Sequence, residues 1–329
     1  MRRLAIIGGG AWGTALAMVA RRAGSIPRLW ARDPGVVATI NQRHQNPPFL
    51  PGVILDPAIT ATTDMAFATE GAEAALLVVP AQFLRGVIQV LGSHLPHGLP
   101  LLLCAKGIET SSLKTMSEVA AEILPASPSA VLSGPTFAAE VARELPTAVT
   151  IASGDASLGL AFIEALGSSR FRPYLSQDPV GAEIGGAVKN VLAIACGIVV
   201  GRNLGDNARA SLITRGLAEM IRLGVAKGGR AETFRGLSGL GDLVLTCSSA
   251  QSRNYGLGLA LGRDQALEAA LRGSRSVVEG VATAASIARV AERLGIEMPI
   301  AAGVDALLHR GEAVDAVIDL LLRRPYRAE

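Results

Sequence analysis

Aromatic residues and blocks of like charge are both scarce in this sequence. Only 4% of the residues are Phe, Trp or Tyr, and the 31 basic and 28 acidic residues, which leave a formal net charge of +3, are scattered along the chain. Nucleic-acid-binding proteins need a concentrated basic patch, and those that bind single strands also need stacking aromatics. We therefore expect no nucleic-acid partner, whereas small anionic ligands are compatible with this charge.

Cysteine and histidine are also rare. Cys104, Cys196 and Cys247 are isolated and odd in number, which argues against a disulfide framework and favours a reducing cytoplasm. Neither the cysteines nor the histidines have the spacing of a zinc site, so we expect no metal. The histidines are His44, His94, His97 and His309.

Long hydrophobic runs are missing as well. The apolar segment near the N-terminus is interrupted by three glycines after only a few residues, so it does not have the pattern of an export signal. The longest apolar stretch, residues 191–201, is shorter than the roughly 18 to 20 residues that cross a bilayer. We therefore expect no stable membrane insertion.

Apolar residues are nevertheless abundant, at 50% of a chain of 329 residues, and they follow two successive patterns. Up to about residue 180, short β-rich runs alternate with helical patterns, as in a parallel sheet with helices on both faces. The β-rich runs are residues 4–7, 26–31, 74–80, 100–105 and 130–132. From residue 181 the apolar residues recur at helical spacing. We predict an α/β Rossmann-like domain at residues 1–180 and an all-α domain at residues 181–329.

A glycine-rich turn follows the first predicted strand. Gly8, Gly10 and Gly13 form the pattern G-x-G-x-x-G between this strand and a helical pattern. Gly8 permits the tight turn, Gly10 lets the backbone approach a pyrophosphate, and Gly13 allows the helix to pack closely on the strand. The helix N-terminus adds N–H donors and a positive dipole. The motif predicts a bound nicotinamide dinucleotide and redox chemistry; the alternative is a glycine turn without a ligand.

The end of the second predicted strand bears on the choice of dinucleotide. Asp33 lies about 20 residues beyond the last glycine of the motif, where an acid accepts a hydrogen bond from the ribose 2′-OH of NAD. Arg32 beside it is suited to the 2′-phosphate of NADP or to stacking on adenine. The pair leaves NAD or NADP open, favours NADP, and has a solvent-exposed strand end as its alternative.

Two lysines occupy positions that suit a dehydrogenase. Lys189 is the only charged residue between Ile184 and Gly201, and burial would lower its pKa toward that of a general acid. The alternative is a lysine that extends from a helix end into solvent. Lys106 directly follows a predicted parallel strand, and ligands of open α/β sheets bind at such strand ends. It would polarise a carbonyl or bind a phosphate, or else be a surface charge.

Three polar loops supply further candidates. Gly134 and Thr136 follow the strand at residues 130–132 and offer a flexible backbone and a hydroxyl. Asp242 is suited to holding an ammonium or a hydroxyl, and the loop Ser252-Arg253-Asn254 is suited to binding a phosphate. Polar residues are common in loops, so an ordinary turn is the alternative for each.

Several short motifs occur in a fixed order along the chain. They are residues 8–17 (GGGAWGTALA), 50–53 (LPGV), 104–109 (CAKGIE), 133–138 (SGPTFA), 189–191 (KNV), 207–210 (NARA), 239–243 (GLGDL), 252–254 (SRN) and 278–280 (VEG). In this order the sequence resembles the bacterial-type NAD(P)-dependent glycerol-3-phosphate dehydrogenases along nearly its whole length.

The resemblance implies reversible reduction of dihydroxyacetone phosphate to sn-glycerol 3-phosphate, which feeds glycerophospholipid synthesis, with Lys189 as the proton donor or acceptor. The substrate contacts that it implies are Lys106, Gly134, Thr136, Lys189, Asp242, Ser252, Arg253 and Asn254. Together with the glycine motif, the implied cofactor contacts are Gly8, Gly10, Ala11, Trp12, Gly13, Arg32, Asp33, Phe49, Lys106, Ala138, Arg253, Val277 and Glu279.

Two positions depart from the commonest pattern of the family. Phe49 stands where tyrosine is frequent, so a contact through its ring edge is apolar here. Thr136 stands where serine is frequent and keeps the hydroxyl. The alternatives to this function are another two-domain dehydrogenase that acts on a sugar acid or 2-hydroxy acid, and a non-catalytic dinucleotide sensor. A homodimer is compatible with the sequence, which does not define the oligomeric state.

Overall fold

The computed structural model describes residues 1–272 and 277–325. The first 176 of these residues contain all the strands of the described chain. The strands are β1 (Arg3–Ile7), β2 (Ile26–Trp30), β3 (Gln45–Asn46), β4 (Leu50–Ile54), β5 (Thr60–Thr62), β6 (Ala74–Leu77), β7 (Leu101–Leu103), β8 (Ser129–Ser133), β9 (Thr147–Ala152) and β10 (Phe171–Ser176).

Eight strands form one sheet in the order β10-β9-β8-β7-β6-β1-β2-β5, while β3 and β4 form a separate antiparallel pair. Neighbouring strands of the sheet are parallel except β8 and β9. The chain first adds β2 and β5 on one side of β1 and then returns to place β6 on the other side. The strand order therefore reverses between β1 and β6, and ligands of open α/β sheets bind outside the carboxyl ends of strands at such a point.

The sheet is covered by helices on both faces, as predicted. Within β1, Leu4 and Ile6 belong to the core on one face, and Ala5 and Ile7 belong to the core on the other. This alternation along a strand that is buried on both sides explains its continuous apolar sequence. The helices of this half are α1 (Ala11–Arg22), α2 (Pro34–Arg43), α3 (Met65–Thr69), α4 (Leu84–Gly92), α5 (Met116–Ile123), α6 (Ala138–Ala142) and α7 (Ala156–Leu166).

After β10 the described chain is helical, which confirms the predicted change of pattern. The helix α8 lies at the centre, packed against α9, α10, α11, α13 and α14. A 3₁₀ segment, Ala231–Arg235, and a π-helical turn, Leu237–Gly241, precede α10. The helices are α8 (Pro179–Gly201), α9 (Asp206–Ala226), α10 (Asp242–Cys247), α11 (Arg253–Gly262), α12 (Leu267–Arg272), α13 (Glu279–Leu294), α14 (Pro299–His309) and α15 (Val314–Leu322).

The structure corrects the expectation that no apolar segment is long enough to span a membrane. Within residues 1–272 and 277–325, one helix, α8, is long and apolar enough by length and composition, because it begins before the apolar run at residues 191–201. However, 89% of its most apolar window is buried inside the protein. Its apolar surface is therefore covered by the other helices of this half.

The strands at residues 147–152 and 171–176 are absent from the predicted set. In β10, Pro173 interrupts the pattern, and Tyr174 and Leu175 are exposed because the strand lies at the edge of the sheet. A proline is tolerated at such an edge, where one row of backbone groups needs no partner strand. The periodicity of an edge strand is therefore weaker than that of a buried one.

Candidate active site

The glycine-rich turn after β1 is shaped by close backbone contacts. Gly8 has a φ of +133°, and a Cβ there would lie 2.8 Å from the carbonyl oxygen of Val78, just beyond β6. A Cβ on Gly13 would lie 1.8 Å from the Gly8 carbonyl oxygen, so α1 rests directly on the turn. By contrast, a Cβ on Gly10 would meet no atom within 4 Å. The turn has a tight base and an open side at Gly10, which fits a bound pyrophosphate.

The first turn of α1 offers hydrogen-bond donors without competing acids. It starts at Ala11 and contains no Asp or Glu, and the first N–H groups of a helix have no acceptor within the helix. The buried indole N–H of Trp12 has no partner within residues 1–272 and 277–325. Trp12, Phe49 and Ala138 all pack, partly exposed, against the core on one face of the sheet. These predicted cofactor contacts are therefore brought to the same face.

Arg32 and Asp33 lie after β2, and they differ in their bonding. Asp33 caps α2, since its Oδ1 accepts a hydrogen bond of 2.7 Å from the Gly35 N–H. Arg32 is exposed, and it has no hydrogen bond or ion pair to the described part of the chain. The carboxylate thus has a structural role that sequence reasoning missed, whereas the guanidinium is available to a ligand.

One buried carboxylate joins the two predicted lysines. Lys189 lies in the middle of α8, and its Nζ donates to Asp242 Oδ1 at 2.5 Å. Lys106 follows β7, and its Nζ donates to Asp242 Oδ2 at 2.7 Å and to the Gly134 carbonyl at 3.0 Å. The side chain of Asp242 is 0% exposed, that of Lys189 is 8% exposed and that of Lys106 is 15% exposed. The structure therefore brings together Lys189, Lys106 and Asp242, three of the residues that the resemblance gives as substrate contacts.

Thr246 completes this cluster, and sequence reasoning missed it. Lys189 Nζ donates to Thr246 Oγ1 at 3.0 Å, and this hydroxyl in turn donates to the Asp242 carbonyl at 2.6 Å. Residues four apart on a helix share one face. The spacing from Asp242 to Thr246 is therefore the signal that identifies Thr246 once Asp242 is placed on α10.

Burial shifts the protonation chemistry of Lys189. Loss of solvent lowers its pKa from 10.5 to about 8, the charge of Lys106 acts in the same direction, and the carboxylate of Asp242 opposes both. An amine whose pKa lies near neutral pH is able to hold a proton and to release it in a reaction. Lys189 therefore has the properties of a general acid/base.

The loop that follows β8 lies at this cluster. Gly134, directly after β8, contributes the carbonyl that holds Lys106, and Thr136 Oγ1 donates to the same carbonyl at 3.3 Å. Ser133 beside them is 1% exposed, and its hydroxyl has no partner within the described ranges. The predicted residues of this loop therefore line the site, although the Gly134 carbonyl already has a structural role.

The loop at residues 252–254 forms the start of α11. Ser252 is the N-cap, and its Oγ accepts from the Tyr255 N–H at 3.2 Å. Asn254 Nδ2 donates to Asn190 Oδ1 at 2.9 Å, and Asn254 Oδ1 accepts from the Gly280 N–H at 2.9 Å. Since Asn190 is the neighbour of Lys189, these bonds place the N-terminus of α11 beside the lysine cluster. Asn254 thus also satisfies an N–H in the first turn of α13, a role that sequence reasoning did not anticipate.

The remaining predicted cofactor contacts lie at the start of α13. Arg253 Nη1 donates to the Val277 carbonyl at 2.8 Å. Glu279 Oε1 accepts from the Ala81 N–H at 3.1 Å, and Glu279 Oε2 is buried without a partner among the described residues. Loss of solvent raises the pKa of Glu279 to about 7. An unsatisfied buried oxygen at this position fits a carboxyl group that receives a hydrogen bond from a ligand.

Metal ligands are not gathered anywhere in the described ranges. No group of three or more His, Cys, Asp or Glu side chains within residues 1–272 and 277–325 has the arrangement of a metal site. The three cysteines are free and buried.

Comparison with known proteins matches both halves of the chain to one family. A family model for the N-terminus of NAD-dependent glycerol-3-phosphate dehydrogenase matches residues 3–159, and a model for its C-terminus matches residues 178–319. The chain is 57% identical over 326 residues to glycerol-3-phosphate dehydrogenase (NAD(P)+) of Rhodospirillum rubrum, which covers 99% of this chain and 93% of that protein. It is 55% identical to the enzyme of the same name from Caulobacter vibrioides, with 99% and 98% covered.

Comparison with solved structures points to the same family. The crystal structure of glycerol-3-phosphate dehydrogenase from Coxiella burnetii matches with a TM-score of 0.95 at 40% identity, over 98% of this chain and 99% of that one. D-mandelate dehydrogenase shares only the fold, with a TM-score of 0.65 at 14% identity over 96% of this chain and 99% of its own. The chain belongs to the NAD-dependent glycerol-3-phosphate dehydrogenase family.

Proposed function

We propose that this protein is an NAD(P)-dependent dehydrogenase that reversibly reduces dihydroxyacetone phosphate to sn-glycerol 3-phosphate, and that Lys189 supplies the proton. The observation that carries this proposal is the pair of lysines held on the two oxygens of Asp242, at the carboxyl ends of β7 and β8. A non-catalytic dinucleotide sensor has no need of such a pair.

The bonding of each lysine leaves a donor for the substrate. An ammonium has three N–H groups. Lys189 uses two of them on Asp242 and Thr246, and Lys106 uses two on Asp242 and Gly134. One N–H of each residue is therefore free to approach the substrate carbonyl or its phosphate. Their common carboxylate fixes both ammonium groups, so little reorganisation is needed when charge develops on the carbonyl oxygen.

The proton comes from Lys189 in the reducing direction. When bound, the reduced nicotinamide supplies a hydride to the ketone carbon. The oxygen of that ketone then needs a proton, and the Lys189 ammonium, with a pKa of about 8, is an adequate acid at neutral pH. Its burial excludes water from the proton position, while Thr246 and Asp242 orient Nζ. In the oxidising direction the neutral amine takes the proton back.

The phosphate of the substrate fits the N-terminus of α11. The free N–H groups and the positive dipole end of this helix attract an anion. Ser252 retains a hydroxyl donor, Arg253 adds a cation, and one Asn254 amide hydrogen is not used by Asn190. This phosphate-binding site is the main difference from a dehydrogenase of sugar acids or 2-hydroxy acids, which binds a carboxylate.

We also propose that NADP is the preferred cofactor. Asp33 commits one carboxylate oxygen to the cap of α2, whereas Arg32 is exposed and unpaired within the described residues. A guanidinium pairs strongly with a 2′-phosphate. The glycine turn, Trp12, Phe49, Ala138, Arg253, Val277 and Glu279 are proposed as the other contacts.

Initial rates test this function directly. The purified protein is supplied with dihydroxyacetone phosphate and either NADPH or NADH, and with a 2-keto acid panel as the competing substrate class. We expect rapid oxidation of NADPH with dihydroxyacetone phosphate only. Faster turnover of a keto acid than of dihydroxyacetone phosphate contradicts the proposal. For variants of Lys189 and Lys106, the matched control is Lys114→Ala, which removes a lysine whose side chain is 42% exposed and paired with Glu122.

Three further sequence predictions stay proposals. They are the division of the chain after residue 180, a cytoplasmic location without stable membrane insertion, and a homodimeric assembly. Light scattering of the purified protein measures its mass in solution and thereby tests the assembly.

A further inference from the structure

We infer that Asn46 is a positioning residue for the dinucleotide, because its amide orients the Gly9–Gly10 peptide of the glycine turn. This inference rests on the dinucleotide-dependent function proposed above. It concerns a residue of the small β3–β4 pair, which lies outside the glycine motif itself.

The buried side chain of Asn46 contacts both the glycine turn and the helix that follows it. Its side chain is 0% exposed. Nδ2 donates to the Gly9 carbonyl at 3.0 Å and to Thr14 Oγ1 at 2.8 Å. Both amide hydrogens are therefore spent on the turn and on the first turns of α1, and neither is left for a substrate or for solvent.

Anchoring the Gly9 carbonyl fixes the direction of the next N–H. In a planar trans peptide the C=O and N–H groups point in opposite directions, and the described chain has no cis peptide bonds. With the Gly9 oxygen held against buried Asn46, the Gly10 N–H points away from the core. Gly10 is also the residue at which a side chain would meet no atom within 4 Å. The donor is thereby turned toward the open side of the turn.

A run of three glycines needs such an anchor. Glycine populates both signs of φ with little penalty, so a peptide between two glycines rotates more freely than any other. A donor that must be oriented on binding weakens affinity by the cost of its ordering, and a pre-oriented donor avoids that cost. Asn46 supplies this order before the cofactor arrives.

Stability alone does not account for an amide at this position. Asn46 Oδ1 is buried and has no partner among the described residues, and an unsatisfied buried acceptor is destabilising. A leucine of similar shape would remove that unsatisfied oxygen, but it would also leave the Gly9 carbonyl and Thr14 Oγ1 without the donor that Asn46 gives them. The amide is therefore explained by what its N–H groups hold.

The test compares Asn46→Leu and Asn46→Ala with a matched control, Asn41→Ala. Asn41 also makes two backbone bonds through its amide, but to Ala61 of β5 and away from the turn. Binding of NADPH is measured by calorimetry without substrate, folding by thermal melting, and turn mobility by backbone amide relaxation. For the Asn46 variants we expect about tenfold weaker binding, increased mobility at Gly9 and Gly10, and a kcat at saturating cofactor within about threefold of wild type. For Asn41→Ala we expect a lower melting temperature and binding within about twofold of wild type.

Several results would overturn the inference. One is NADPH binding by Asn46→Leu within about twofold of wild type; another is equal weakening in Asn41→Ala. Thr14→Val removes the other acceptor but keeps the Gly9 bond, so a loss as large as that of Asn46→Leu also contradicts it. A mobile Gly9–Gly10 peptide in the wild-type protein contradicts it without any variant. Failure of the wild-type protein to reduce dihydroxyacetone phosphate refutes the proposed function instead, and leaves the binding data valid.

Discussion

The pH dependence of turnover is the sharpest prediction that the structure makes. The pKa of Lys189 is lowered to about 8, first by burial and then by the charge of Lys106, against the opposing effect of Asp242. If Lys189 supplies the proton, as proposed, its protonated form is the active one in the reducing direction. We therefore expect kcat to fall about tenfold between pH 7 and pH 9, as the protonated fraction falls. In the oxidising direction the same group gives a rise over that range.

The fall of kcat above pH 7 is the descending limb of the pH profile. Variants of Asp242 and Lys106, the two charged neighbours of Lys189, should shift this limb in opposite directions. Asp242→Asn removes the carboxylate that raises the pKa of Lys189, so the limb should move to lower pH. Lys106→Met removes the positive charge that lowers it, so the limb should move to higher pH. Both profiles are measured as kcat at saturating substrate, from the absorbance of the reduced nicotinamide. The opposite signs distinguish a direct effect on Lys189 from general damage to the site, which would lower kcat without such a pattern.

Removal of the lysine itself completes the test. Lys189→Ala leaves Asp242 paired with Lys106 and Thr246, so the variant should fold and bind cofactor. Its kcat should fall about 100- to 10,000-fold, the usual contribution of a positioned acid, and the pH limb should disappear. The exposed Lys114→Ala variant should retain both. Persistence of the limb in Lys189→Ala, or limbs that shift in the same direction in the two neighbour variants, would refute the assignment of the proton to Lys189.

Other consequences of the structure are tested more simply. Arg32→Ala should raise the KM for NADPH by about tenfold or more, through loss of a charge-assisted bond, with little change for NADH; an equal change for both cofactors contradicts the proposed preference. Gly13→Ala should abolish dinucleotide binding in calorimetry, because its Cβ would lie 1.8 Å from the Gly8 carbonyl oxygen; wild-type affinity and melting temperature would show that the turn is not packed this way. Glu219, 1% exposed, accepts two N–H bonds at the start of α14, and burial raises its pKa from 4.5 to about 7. Because the pKa of Glu219 is higher in the folded state, its contribution to the free energy of unfolding is complete below pH 4.5 and is lost as the pH rises through about 7. This change is of the order of 3 kcal/mol. Glu219→Gln should remove it in denaturant melts at pH 4 and pH 8, and an unchanged pH dependence in the variant contradicts this.

The architecture was predictable because it depends on local patterns. Buried parallel strands have continuous apolar sequences, and helices have a three-to-four repeat, so the change of pattern near residue 180 indicated the change from sheet to helices. The edge strand β10 escaped prediction because exposure of one side weakens its pattern.

The chemistry of the site was predictable only in part. An isolated lysine in an apolar helix and a lysine at a strand end were both visible, and so was the glycine turn. Their functional meaning depended on separate loops, each of which alone has an ordinary explanation. The family resemblance joined these loops into one expected site.

The sequence by itself determined the order of sheet and helices, the dinucleotide turn and the type of residue able to donate a proton, because these depend on neighbours a few positions away. Only the tertiary structure decided that Asp242 bridges two lysines that lie 136 and 53 positions from it. It also decided that Asp33 caps a helix while Arg32 is exposed, and that Asn46 holds the glycine turn. Such contacts arise from packing between distant segments, and so do the burial and neighbouring charges that set the pKa of Lys189. No local pattern encodes them.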